Sequence, residues 1–261
     1  MKEVSKEINK IKKLYKNNPI FSFTVDLDWA SEDAIKYCYE LFEHYEIPVT
    51  FFLTHRSSFL YKHLEASNIE AGIHPNFMEG SSHGNSYTEV INYCMNLLPT
   101  VECFRSHRYY DVNDITDTFY KLGIRYDSNL CTLLQKLDPF IHRSGLLRFP
   151  IYFEDGSYLL HEKCLDFELV GKELFSSPGL MVINIHPIHL ILNSPNFLFA
   201  RRIKDKLTRQ EWNTLTTKDF EILKYRGKGI ADFLINFLQF VYKNKMQCYT
   251  LKQLYEITKC Y

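Results

Sequence analysis

Apolar and polar positions alternate at the start of the first well-patterned segment. Phe21, Phe23 and Val25 are separated by Ser22 and Thr24. A period of two marks a half-buried strand. The run passes directly into Asp26-Leu27-Asp28-Trp29. The period then changes. Ala34, Ile35, Cys38, Leu41, Phe42 and Tyr45 recur at helical spacing behind Ser31, a residue suited to capping a helix. Val49 to Leu53 is an apolar run broken only by Thr50, as a strand buried on both faces requires. Strand, helix and strand within about 35 residues make a βαβ unit, so the two strands are expected to be parallel.

The alternation predicts further elements in the same style. Helices are expected at 59–66, 87–98 and 113–122, and strands at 69–73, 101–104 and 181–185. Residues 146–153 and 158–160 read as extended. A strong amphipathic helix carries Ile230, Phe233, Leu234, Phe237, Leu238 and Val241, and a short strand at 246–249 and a last helix follow. This many β/α units favours a barrel-like α/β fold over an open sheet. Residues 1–18 read as an exposed leading helix with a narrow stripe of Ile8, Ile11 and Leu14, and residues 19–261 as a single domain. Residues 191–227 read as an irregular, partly helical excursion, a candidate lid or dimer contact in a homo-oligomer.

Composition narrows the function classes. The 31 basic and 31 acidic residues balance, which argues against a nucleic-acid footprint. No apolar run approaches the length of a membrane span, and the Lys-rich start lacks the apolar centre of a secretory signal. The seven cysteines are odd in number and form no Cys-x-x-Cys pair, as expected of reduced thiols in a cytoplasmic protein.

Polar residues recur where predicted strands end: Asp26 and Asp28, His74, Arg105 and His186. In a parallel sheet all of these fall on one face, where α/β proteins gather their ligands. Asp28, His74 and a second histidine would form an N2O site for zinc or another divalent cation, with positions left for water and substrate. Asp26 is placed to act as a base, Arg105 to keep it ionised, and His186 to donate a proton to a leaving amine. Singly, each has a plainer use: Asp-x-Asp as a turn or cap, a lone histidine in packing, His83 as a loop residue.

With these residues in place the chain resembles the polysaccharide deacetylase superfamily, the NodB-like carbohydrate esterases, and within it the WbmS-like branch. Thr24-Val25-Asp26-Leu27-Asp28 is similar to the first motif, Gly72-Ile73-His74-Pro75 to the second, Phe104-Arg105-Ser106-His107-Arg108-Tyr109 to the third and Ile183-Asn184-Ile185-His186-Pro187 to the fifth. Leu122 to Ser128 resembles a segment that follows the third motif, and Phe149-Pro150-Ile151-Tyr152 weakly resembles the fourth. The resemblance implies a distorted (β/α) barrel with fewer than eight strands, taken as seven. It implies metal-dependent removal of an N-acetyl or other acyl group from a sugar, sugar nucleotide or lipid-linked glycan in surface-polysaccharide synthesis. Asp26 is then the base and His186 the acid, with Arg105 pairing the base. Asp28, His74 and His83 are the metal ligands, zinc foremost, although His83 lies farther from His74 than the family spacing. Ile183 is a wall of the acyl pocket, and Trp29, Arg108, Tyr109 and Asp155 contact substrate or supply the fourth-motif acid. The competing expectations are a non-catalytic carbohydrate-binding or assembly protein on the same barrel and, more weakly, a two-carboxylate glycoside hydrolase.

Overall fold

The two-residue period of the first strand sorts its side chains onto two different cores. In the computed structural model, which describes residues 2–98 and 100–259, this strand is β1 (Pro19–Asp26). Phe21, Phe23 and Val25 turn outward, where they join Phe42, Phe175, Phe233 and Phe237 under the surrounding helices. The Phe175 and Phe237 rings stack with centroids 3.8 Å apart. Ile20 turns to the inner face and packs with Phe52, Tyr126, Phe149, Ile151 and Val182.

The remaining strands are β2 (Val49–Leu53), β3 (Ile69–Ile73), β4 (Cys103–Phe104), β5 (Tyr126–Asp127), β6 (Phe140–Ile141), β7 (Leu147–Arg148), β8 (Ile151–Glu154), β9 (Gly179–Ile185) and β10 (Gln247–Cys248). They form one curled sheet in the order β6-β7-β5-β4-β3-β2-β1-β9-β8, with β10 paired to the start of β1. Every pairing is parallel except β6 with β7. The architecture is the expected distorted barrel. Among the described residues its ten strands exceed the seven anticipated because β5 and β6, of two residues each, leave no period in the sequence, and the run at 146–153 is divided into β7 and β8.

β1 sits between β2 and β9, with Asp26 opposite Phe52 and Val25 opposite Ile185. The first helix, Glu32–His44, starts where expected, its Ala34 amide donating to Ser31 Oγ. The inner face leaves little room beside β3: a Cβ on Gly72 would lie 2.6 Å from Cys103 Sγ.

Three expectations change. Residues 59–66 form only a short 3-10 turn at Leu60–Lys62. Residues 158–160 are not extended; they finish the helix Asp155–Leu160, capped by Glu154. The leading helix Lys2–Leu14 is docked, with Ile11 wholly buried in the same cluster as Leu251 and Leu254 of the last helix, Leu251–Lys259. The excursion is more ordered than its composition suggests. Among the described residues it holds three short helices, Phe197–Lys204, Arg209–Asn213 and Thr217–Leu223, the last two started by capping boxes.

Candidate active site

Because the strands are parallel, their carboxyl ends bring distant residues together. Asp26 ends β1, His74 follows β3, Arg105 follows β4, Ser128 follows β5, Glu154 ends β8 and His186 follows β9. The ladder continues one step beyond the strands. The His74 amide donates to Leu53 O at 2.9 Å and the Arg105 amide to Ile73 O at 3.0 Å. These bonds fix the direction in which both side chains leave the backbone.

Asp26 and Arg105 form the buried pole of the site. Arg105 is fully enclosed. Its Nη1 donates to Asp26 Oδ1 at 2.9 Å, to Thr24 Oγ1 at 2.9 Å and to Asn184 Oδ1 at 2.6 Å. Its other nitrogens donate to the carbonyl and hydroxyl of Ser128, and its guanidinium lies over the Phe52 ring. Asn184 Nδ2 donates to the second oxygen of Asp26 at 2.8 Å. Burial pushes the Asp26 pKa up, but Arg105, then His74 and His186, reverse this and hold it below the usual carboxylate value.

Asp28 forms the second pole. Its Oδ1 lies 3.1 Å from His74 Nε2 and 3.0 Å from His107 Nδ1. The backbone is left-handed at Asp28 (φ 43) and Trp29 (φ 57), and across the cleft at Arg108 (φ 56) and Tyr109 (φ 55). Such backbone costs of order 1–3 kcal/mol per residue, and here it turns two loops so that Asp28 and His107 meet. One donor atom from each of Asp28, His74 and His107 lies within 4.8 Å of the others. Two imidazole nitrogens and a carboxylate oxygen suit a divalent first-row cation. Burial raises the Asp28 pKa, and the neighbouring His107 and His74, with His186, pull it well below the normal value.

His83 does not join this group. The Asn76 amide donates to His83 Nδ1 at 3.1 Å, so the ring's proton sits on Nε2, which lies 2.8 Å from Thr54 O. Both nitrogens are therefore occupied, and the ring stacks on Tyr93. The place beside Asp28 and His74 is taken instead by His107, from the loop after β4. Trp29 is also relocated. It packs between the rings of His83 and His107, each 5.4 Å away, and does not line the cleft.

His186 lies between the poles, its Nε2 3.9 Å from Asp26 Oδ2 and 3.8 Å from Asp28 Oδ2. Its Nδ1 lies 2.6 Å from Asp155 Oδ1, and its amide donates to Asp155 Oδ2 at 2.7 Å. Burial alone would lower the His186 pKa; Asp155, aided by Asp28 and Glu154, raises it well above the imidazole value. Asp155 is fully buried behind His186, so it orients the ring and forms no cleft wall. Ile183 is likewise not a wall. The strand period turns it into the outer core beside Phe23, and its neighbour Asn184 faces the site.

The cleft has a volume of about 580 Å³. Asp26, Asp28, His74, His107 and His186 form its floor, joined at the side by Arg108 and Tyr109. The opposite wall comes from the excursion: Phe197, Ala200, Arg201, Lys204 and Trp212. The sequence pattern did not single out His107, although it stands in the third motif two residues after Arg105. It also missed Asn184, whose signal was a lone amide inside the apolar run Met181 to Ile185.

A floor of acids and histidines at one end of a curled parallel sheet, backed by the buried Arg105, defines a NodB-like carbohydrate esterase architecture. The chain belongs to the WbmS-like polysaccharide deacetylase family, which it matches over residues 23–203. It is similar to WbmS of Bordetella bronchiseptica, a candidate polysaccharide deacetylase involved in O-antigen biosynthesis. The two share 26% identity with a TM-score of 0.73, over 84% of this chain and 89% of that one. A candidate polysaccharide deacetylase from Mycobacterium smegmatis shares the fold, with 14% identity and a TM-score of 0.54, over 93% of this chain and 91% of that one. No curated protein matches the chain. Among the described residues, no helix is long and apolar enough to cross a membrane.

Proposed function

We propose that this protein is a metal-dependent hydrolase that removes an N-acetyl or other acyl group from a sugar during surface-polysaccharide synthesis. The observation that carries the reading is the placement of the Asp28, His74 and His107 donors beside an ionised Asp26 and a protonated His186. The donor set fits zinc best, and a cation held there would polarise the acyl carbonyl and ease deprotonation of the attacking water.

The chain's own residues divide the remaining work. Asp26, low in pKa and pinned by Arg105 and Asn184, accepts the proton of water as it attacks. Its fixed orientation removes the reorganisation that a mobile carboxylate would need. His186 carries a proton on Nε2, on the side of the ring away from Asp155, and delivers it to the departing amine. Asp155 holds the ring in that tautomer and stabilises its charge. Acetate and a free amino sugar leave the site. A cytoplasmic setting makes a sugar nucleotide or lipid-linked glycan the natural substrate.

The test compares two variants for metal content and turnover. Asp28→Ala is expected to lose both metal and activity. Asp26→Asn is expected to keep metal and lose activity. Turnover retained in Asp26→Asn would remove the base, and an absence of bound metal on titration of the unaltered protein would favour a non-catalytic sugar-binding role.

A further inference from the structure

The proposed chemistry uses the floor of the cleft and leaves its rim unexplained. Three cations stand there: Arg108 on the loop after β4, and Arg201 and Lys204 on the helix Phe197–Lys204. Arg108 makes no hydrogen bond or ion pair among the described residues, and its left-handed backbone holds it next to His107. Lys204 lies over the Trp212 ring with Nζ 5.5 Å from the centroid, and no carboxylate among the described residues pairs with it. Arg201 has only a loose contact, 3.9 Å from Asp205 Oδ2. Among the described residues the acids that line the cleft outside its floor are Glu154, which caps the helix Asp155–Leu160, and Asp205, so the three cations outnumber the two carboxylates.

That surplus is local. The chain as a whole has zero formal net charge, so the cations are not the overflow of a basic protein. Some cations elsewhere on the surface do pair closely with acids, as Lys224 does with Glu221 and Lys228 with Asp166, both at 2.6 Å. A neutral glycan would give the rim cations nothing to neutralise. A diphosphate diester carries two negative charges near neutral pH, and guanidinium groups match phosphate oxygens in geometry as well as charge.

We infer that the substrate is an acyl sugar joined to a diphosphate carrier, and that Arg108, Arg201 and Lys204 bind the diphosphate while the acyl group reaches the floor. This rests on the deacetylase reading and adds the carrier to it. The same diphosphate could link the sugar to a nucleoside or to a prenyl lipid. The rim recognises the shared anion. Because the three side chains are exposed at their tips, the attraction acts mainly on substrate capture and is screened by salt.

The test uses one N-acetyl hexosamine in three forms: linked to uridine diphosphate, linked to a short-chain prenyl diphosphate, and as the neutral methyl glycoside. At least one diphosphate form is expected to exceed the neutral one about tenfold or more in kcat/KM, mostly through KM, and to lose most of that advantage in high salt. The double variant Arg201→Ala/Lys204→Ala is expected to bring the ratio towards parity. A preference for one diphosphate form identifies the carrier. Equal turnover of all three forms, or a double variant that keeps the full ratio, overturns the inference. If none of the forms is turned over, the deacetylase reading fails separately. Calorimetric titration with uridine diphosphate then decides: binding weakened severalfold in the double variant sustains the anion site, and no binding to the unaltered protein overturns it.

Discussion

The two sides of the cleft are built on opposite physical terms. On the strand-end side, Arg105 and Asp26 are almost wholly enclosed, and every nitrogen of the guanidinium has a partner within the fold. On the helical side, Arg201 is 65% exposed and holds its nearest acid only at 3.9 Å. Buried, interlocked charges cannot reorganise cheaply, and a broken partner leaves a desolvated ion. Exposed charges move freely and are screened. The first side is suited to hold reacting groups in one geometry. The second is suited to select what enters.

This contrast ranks the effects of substitution. The largest belong to the floor. Asp26→Asn should lower kcat by about 10²–10⁴-fold with metal content retained, as measured by steady-state kinetics beside elemental analysis. Arg105→Met leaves Asp26 and Asn184 with a buried, unpartnered face and should destabilise the fold by about 3–5 kcal/mol in a denaturant melt. A loss below about 1 kcal/mol would mean that the pole is not interlocked as described.

His83 is next in size. Burial lowers its pKa from 6.5 to about 4. The unfolded chain takes up a proton below pH 6.5 while the folded ring stays neutral, so stability should fall as pH drops from 6.5 towards 4. The total is up to about 3 kcal/mol, and His83→Gln should flatten that slope. The smallest effects belong to the rim. Arg201→Ala and Lys204→Ala should each change the unfolding free energy by no more than about 0.5 kcal/mol. A larger change would make these cations structural and blur the distinction between the two sides.

The same contrast explains what the sequence revealed. Asp26, His74, Arg105 and His186 were legible because each follows a strand, and a parallel sheet converts that one-dimensional position into a shared place. Asp28 was legible from its spacing to Asp26. His83 misled because chain order says nothing about which way a loop ring turns, and here the Asn76 amide and Thr54 carbonyl take both nitrogens. Ile183 misled by one residue, which in a strand is the whole difference between the outer core and the site. His107 reaches Asp28 only because four non-glycine residues adopt left-handed backbone, a choice without a sequence signature. The helical wall was read as irregular because its helices are short and polar. Their contribution to the cleft depends on packing, as Trp212 at 4% exposure illustrates.

The proposed metal donors, with His107 in place of His83, are tested by metal binding without reference to any substrate. Zinc titrated into protein carrying His107→Ala should bind at least about tenfold more weakly than to the unaltered protein. His83→Gln should keep near-native affinity. The opposite pattern, with affinity lost in His83→Gln and kept in His107→Ala, would contradict the site described here.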